Sequence, residues 1–232
     1  MNEPARAAQP FRFYTRLHLS ELTGLSASTF PRFLEILKNA SDSCVYHHTH
    51  RFLQQHQHLS PEPPNDFAYW AAESMGDDEL AEKLASIDTI RFSNLPALRD
   101  RIVAVVEEHL ARTPNAALRR AAPGEEFYFI KAVSFVFPAP YVVWNLREFA
   151  EALRRVGIHS IYFHIFEARL RLAKKTNDFS HWLEDSLGEP ELAKRIAALD
   201  PYTYTLEELR KKLVALVSRR IAEHDDTDHA AH

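Results

Sequence analysis

Hydrophobic and polar residues alternate from Phe11 to Leu19. Phe11, Phe13, Thr15, Leu17 and Leu19 share one face and Arg12, Tyr14, Arg16 and His18 the other, which predicts a half-buried strand. The period then changes. Over 28–38, Phe30, Phe33, Leu34 and Leu37 fall at helical spacing behind Ser28, a residue suited to capping. Residues 43–58 hold no helix breaker and read as a second helix. A third starts at the capping pair Asn65-Asp66 and stops near Gly76, and a short fourth covers 77–87. After a bend at Asp88, an amphipathic helix is predicted over 95–110.

The pattern then runs again. Phe127, Phe129, Val133, Phe135 and Phe137 predict a second strand. Helices follow over 146–156 (capped by Asn145), 159–173, from Asn177-Asp178 to Gly188, over 189–199 and over 206–221. In the last, Leu206, Leu209, Leu213, Leu216 and Val217 form the apolar stripe. The residues repeat as well as the periods: at a shift of 112, 11 of the 24 positions from Asn65 to Asp88 recur between Asn177 and Asp200. Upstream, Val45-Tyr46-His47-His48 answers Ile161-Tyr162-Phe163-His164 at a shift of 116. The first copy thus carries four extra residues in between, where Ser60-Pro61-Glu62-Pro63-Pro64 stands. A tandem duplication is expected, with copies at 11–112 and 127–222 and a connector over 111–126. The fold class that follows is mainly α with a small two-stranded β element. Each lone strand pairs with its twin, and the copies sit in a pseudo-twofold arrangement, packed as one globular unit. Residues 1–10 and 224–232 are expected to be flexible ends.

Composition narrows the class. The chain has 232 residues, of which 46% are hydrophobic and 26% charged, as in ordinary globular proteins. A net charge of −4 gives no general attraction to nucleic acid or to an anionic membrane. A single cysteine rules out an internal disulfide and a Cys-rich zinc site, and suits a reducing, cytoplasmic setting. The longest apolar run, 132–144, contains Pro138 and Pro140 and is shorter than the roughly 20 residues a membrane helix needs. Five glycines, none in a phosphate-binding motif, exclude nucleotide binding by those devices.

The candidate chemistry gathers between Ser43 and Asp66, which hold His47, His48, His50, His56 and His58, five of the chain's 13 histidines. Comparing the copies sorts them. Asn65-Asp66 and Asn177-Asp178 occur in both and read as helix caps, or else as paired carboxylates facing a pocket. Trp70 and Trp182 read as packing. His48 and His164 also occur in both, each able to hydrogen-bond to the aspartate that follows it. His47 and His50 answer Phe163 and Phe166, so an apolar face at i, i+3 in the second copy becomes an imidazole face in the first. Two such histidines with Asp66 or Glu62 could hold a divalent metal, and Glu167 adds a carboxylate beside His164. The same face, with Arg51 and Tyr46, could instead bind an anion or a hydroxylated molecule. Gln54, Gln55, His56, Gln57 and His58 read as a solvated face. Cys44 has no nucleophile–base arrangement around it.

The blocks Val45-Tyr46-His47-His48-Thr49-His50-Arg51-Phe52-Leu53 and Leu59-Ser60-Pro61-Glu62-Pro63-Pro64-Asn65-Asp66-Phe67-Ala68-Tyr69-Trp70 resemble a family of uncharacterised bacterial and archaeal proteins, a domain of unknown function. The resemblance implies a prokaryotic setting and supplies no activity. The leading expectation is a soluble protein with a pocket where the copies meet, lined by Tyr46, His47, His48, His50, Arg51, Asp66, His164 and Glu167, that takes a small polar ligand or a divalent metal. One alternative is a metal-dependent hydrolase or oxygen-using enzyme with His47, His50 and Asp66 as ligands. The other is a regulatory or scaffold protein without a small-molecule site.

Overall fold

The structure, a computed structural model, describes residues 6–51, 64–92, 94–168, 176–199 and 204–230. It is mostly helical, with two strands of 17 residues each, β1 (Phe11–Ala27) and β2 (Phe127–Val143), paired as an antiparallel sheet. The two strands expected from the alternation pair with each other. After β1 come α1 (Phe30–Lys38), α2 (Asp42–Tyr46), α3 (Asp66–Glu73), α4 (Asp78–Ala85) and α5 (Leu95–Arg112). After β2 come α6 (Leu146–Arg155), α7 (Ile158–Tyr162), α8 (Asp178–Asp185), α9 (Pro190–Ala197) and α10 (Leu206–Ala230). Both α2 and α7 run on into a π-helical turn, His47–Arg51 and Phe163–Glu167 respectively.

The chain divides into two compact units. The terminal unit combines Met1–Leu17 with Phe135–His232, and the central unit is His18–Ser134. Each strand therefore serves both units. In the terminal unit, Phe11 and Phe13 from the start of β1 join Phe149, Leu153, Phe179, Trp182, Leu209 and Leu213 in the core. In the central unit, Phe127 and Phe129 from the start of β2 join Phe30, Phe33, Phe67, Trp70, Leu80 and Leu98. The ring of Phe13 lies 5.9 Å from Phe149, and that of Phe129 lies 5.5 Å from Phe33. Trp70 and Trp182 are buried and donate their indole N–H to a backbone carbonyl, Trp70 to Glu125 at 2.9 Å and Trp182 to Gln9 at 2.8 Å. Buried aromatic pairs of this kind add to the area term that holds each core together.

Local chemistry sets the ends of the helices. Asn65, Asn94, Asn145 and Asn177 each accept a backbone N–H three residues on, at 2.9 Å, and so cap α3, α5, α6 and α8. Thr29, not Ser28, caps α1; Ser28 instead accepts from Arg120. Gly76 and Gly188 follow α3 and α8 at φ +59° and +72°, the left-handed conformation that ends a helix with little penalty only in glycine.

Several expectations change. The strands extend well past Leu19 and Phe137, because from Leu17 to Ser26 their side chains are exposed or half-buried and leave no alternation to read. Phe135 and Phe137 are about half exposed rather than packed. The last helix continues to Ala230, into the segment expected as a flexible end. The far parts of the two helices expected over 43–58 and 159–173, with His56, His58, Glu62 and most of the proline loop, lie outside the described residues.

Candidate functional site

The two π turns carry the chemistry. In the central unit His48, 2% exposed, sets Nδ1 2.7 Å from Asp66 Oδ2, while its Nε2 accepts the backbone N–H of Ile130 at 3.0 Å. In the terminal unit His164, also 2% exposed, sets Nδ1 2.7 Å from Asp178 Oδ2, and its Nε2 accepts the N–H of Tyr14 at 2.8 Å. A backbone N–H can only donate, so Nε2 must hold a lone pair and the ring proton sits on Nδ1, pointed at the carboxylate. Both nitrogens of both rings are engaged. Each histidine ties a π turn to the first residue of a helix on one side and to a strand on the other. The asparagine of each Asn-Asp pair thus caps the helix and the aspartate orients the histidine.

The remaining positions separate the turns. In a π turn the i→i+5 hydrogen bonds widen the coil, so side chains four apart overlay and those three apart diverge. Accordingly Tyr46 stacks on His50 at 5.7 Å and 4°, as Tyr162 does on Phe166 at 4.7 Å and 16°. His50 is buried and occupies the phenyl position of that stack. The single hydroxyl proton of Thr49 goes to the Val45 carbonyl at 2.7 Å, so His50 Nδ1 donates to Thr49 Oγ1 at 2.9 Å. His47 is 9% exposed, and its ring meets His48 at 4.9 Å and 74°, matching Phe163 on His164 at 5.0 Å and 83°. Its Nδ1 is buried without a hydrogen-bond partner among the described residues. Burial first, then the proximity of His48 and of the Arg51 guanidinium, push its pKa down to about 4, so the ring is neutral at physiological pH.

Helical spacing placed His47 and His50 on one face with Asp66. The described residues instead bring His47, His48 and Asp66 together, with one possible ligand atom of each within 4.8 Å of the others. His48 cannot give either nitrogen to a metal without losing Ile130 or Asp66, so His47 and Asp66 are the donors left. Asp66, 30% exposed, is the wetter of the two. Burial raises the Cys44 thiol to about 11, which keeps it protonated and unreactive. Of the other residues expected at the site, His164 and Glu167 belong to the terminal unit. There Glu167, 2% exposed, meets Arg16 Nη1 at 2.7 Å, and the Arg16 guanidinium lies 5.7 Å from the Phe163 ring.

Several partners escaped the pattern. His18, read as the polar side of a strand, reaches Tyr46 Oη at 3.1 Å and Ser134 Oγ at 2.8 Å. Two buried clips fasten the start of the fourth helix of each set to the last helix: Asp77 with His109 at 3.0 Å, and Glu189 with Arg220 at 2.7 Å and His224 at 3.0 Å. The sequence held a signal for them, since an acid, Asp77 or Glu189, follows each of Gly76 and Gly188. A cleft of about 510 Å³ in the terminal unit is lined partly by Asp178, His181 and Asp185. These groups already have partners, Asp178 with His164 and His181 with Asp185 at 2.6 Å. No helix among the described residues is long and apolar enough to cross a membrane.

The chain belongs to a family of unknown function (DUF5752), whose model matches residues 8–218. A solved structure, that of OrfY from Thermoproteus tenax, is similar to it with a TM-score of 0.76 and 29% sequence identity, over 92% of this chain and 96% of that one. No curated protein matches the sequence.

Proposed function

We propose that this member of the family is a binding protein whose site is the π turn of the central unit, where His47 and the adjacent Asp66 receive a small polar ligand. The buried, unpartnered Nδ1 of His47 carries the reading. An unsatisfied buried polar atom costs roughly 1–3 kcal/mol, and the corresponding position of the other turn avoids that cost with the phenyl ring of Phe163. A ligand hydrogen-bonded to Nδ1 offsets it. The test is a thermal-shift panel of small hydroxylated and ionic compounds on the wild type and on His47→Phe. At least one compound should raise the wild-type Tm and leave the variant unmoved; a panel in which the two proteins respond alike would overturn the reading.

A second reading is a divalent metal, favoured by the grouping of His47, His48 and Asp66 within 4.8 Å. A hydrolase or oxygen-using enzyme holds its metal with three protein ligands and an open position, so this reading requires His48 to exchange one of its present hydrogen bonds for the metal. Elemental analysis of untagged protein checks it: stoichiometric Zn, Fe or Mn, lost in His47→Phe, is expected. The chain is further read as a tandem duplication, supported by the 11 identities in 24 positions and by the same order of helices after each strand. A cytoplasmic setting is supported by a sole cysteine that is free and buried.

A further inference from the structure

We infer that the group recognised at this site is an oxyanion, a carboxylate or phosphate, and that Arg51 anchors it. The inference deepens the reading above and rests on it. The contrast between the two turns motivates it. The fifth residue of the terminal turn, Glu167, is buried, and its charge is met inside the unit by Arg16 from β1. The fifth residue of the central turn is Arg51, of opposite sign. At the shift of 116 that aligns the turns, the strand residue answering Arg16 is Ala132, which offers no charge. Among the described residues Arg51 has no ion pair. Its Nη2 reaches the carbonyl oxygen of His18 at 3.4 Å, and its Nη1 is buried without a partner.

Arg51 is half-buried, and withdrawing even part of a guanidinium from water without an anion is unfavourable. The second unpartnered atom of the region, His47 Nδ1, belongs to the same turn, four residues away, where the π geometry overlays side chains. Arg51 and His47 are close enough to act on each other electrostatically. A guanidinium fork only donates, and a neutral imidazole donates from Nδ1 in one of its two tautomers, so an oxygen acceptor with negative charge is the ligand chemistry that satisfies both and selects that tautomer. A bare divalent cation is disfavoured beside Arg51 unless an anion accompanies it.

The experiment titrates orthophosphate and, separately, acetate into the full-length protein at constant ionic strength, with KCl as the reference. Binding is followed by the ¹⁵N resonances of the arginine and histidine side chains. Saturable shifts of Arg51 and His47 beyond those of KCl are expected. Arg51→Gln should lose at least tenfold in affinity, and Arg51→Lys should retain part of it. Response to orthophosphate alone identifies a phosphate site, and response to both identifies a general oxyanion site. Signals no larger than with KCl, or equal binding by Arg51→Gln in a folded state, overturn the inference. The two readings fail separately. If a neutral hydroxylated compound binds and is lost in His47→Phe but not in Arg51→Gln, the oxyanion falls and the site stands. If His47→Phe binds every probe as the wild type does, the site itself falls.

Discussion

The π turn of the terminal unit, Phe163–Glu167, and that of the central unit, His47–Arg51, have the same backbone form and one residue in common, the histidine. That histidine does the same work in each: it reads an aspartate with one nitrogen and a strand N–H with the other. Around it the terminal turn is apolar at two positions and ion-paired at a third, with Phe163 packed, Phe166 stacked and Glu167 paired to Arg16. The central turn puts polar groups in the same places and leaves two of their atoms, His47 Nδ1 and Arg51 Nη1, unsatisfied. A local fold held by a few shared contacts can therefore carry either a closed core or an open chemistry. Arg16 Nε is also buried without a hydrogen bond, but its guanidinium is paired with Glu167, whereas that of Arg51 has no ion pair among the described residues.

The largest expected effect tests the shared part. His48→Ala and His164→Ala each remove two hydrogen bonds and strand a backbone N–H, a loss of about 4 kcal/mol in either unit by urea denaturation. A clear inequality between them would break the comparison at its base. Next, Glu167→Gln unpairs a buried ion and should cost about 3 kcal/mol, whereas Arg51→Gln, which removes a charge without an anion, should stay within about 1 kcal/mol of wild type. Equal losses would mean that Arg51 is paired after all.

His47→Phe sharpens the comparison through pH. His47 titrates near 4 in the fold against about 6.5 in the unfolded chain. Above 6.5 it is neutral in both states and its contribution is flat. As pH falls from 6.5 toward 4, the unfolded chain takes up a proton that the folded one refuses, and stability is lost. Between pH 8 and pH 5 that loss is about 2 kcal/mol, and the phenylalanine variant should lack it. The smallest effect concerns Cys44, which answers Ser160 at the same shift of 116. Ser160 donates to the carbonyl oxygen of Tyr14 at 2.6 Å. Since Ile130 answers Tyr14, Cys44→Ser has a carbonyl available and should change stability by less than about 1 kcal/mol. The wild-type thiol should stay unreactive to DTNB at pH 8 until denaturant is added.

How much of this could be read from the letters depends on the kind of physics involved. Helix starts were legible because Asn65, Asn145 and Asn177 cap by a contact spanning three residues. The division between structural and candidate histidines was legible because His48 recurs as His164 while His47 and His50 do not. The pairing of His47 with His50 was misplaced because spacing arguments assume an α-helix. Nothing in His47-His48-Thr49-His50-Arg51 announces the wider coil, in which His50 stacks on Tyr46. Arg16 and His18 were read as the polar side of a strand, since their partners lie 151 and 116 residues away in Glu167 and Ser134. Distance along the chain hides such contacts, whatever their strength.

The sharing of each strand between two units has a consequence for how the protein is made. Phe11 and Phe13 leave the ribosome long before Leu209 and Leu213, with which they share a core. The helices of the central unit are all synthesised before Phe127 and Phe129, the rings that close their core. Neither unit can finish as it emerges. Phe11 and Phe13 must wait for β2 to pair with their strand and for α10 to close their core, so folding is governed by long-range closure despite the short-range helices. Separating the halves at the connector would leave each set of helices without the strand it needs.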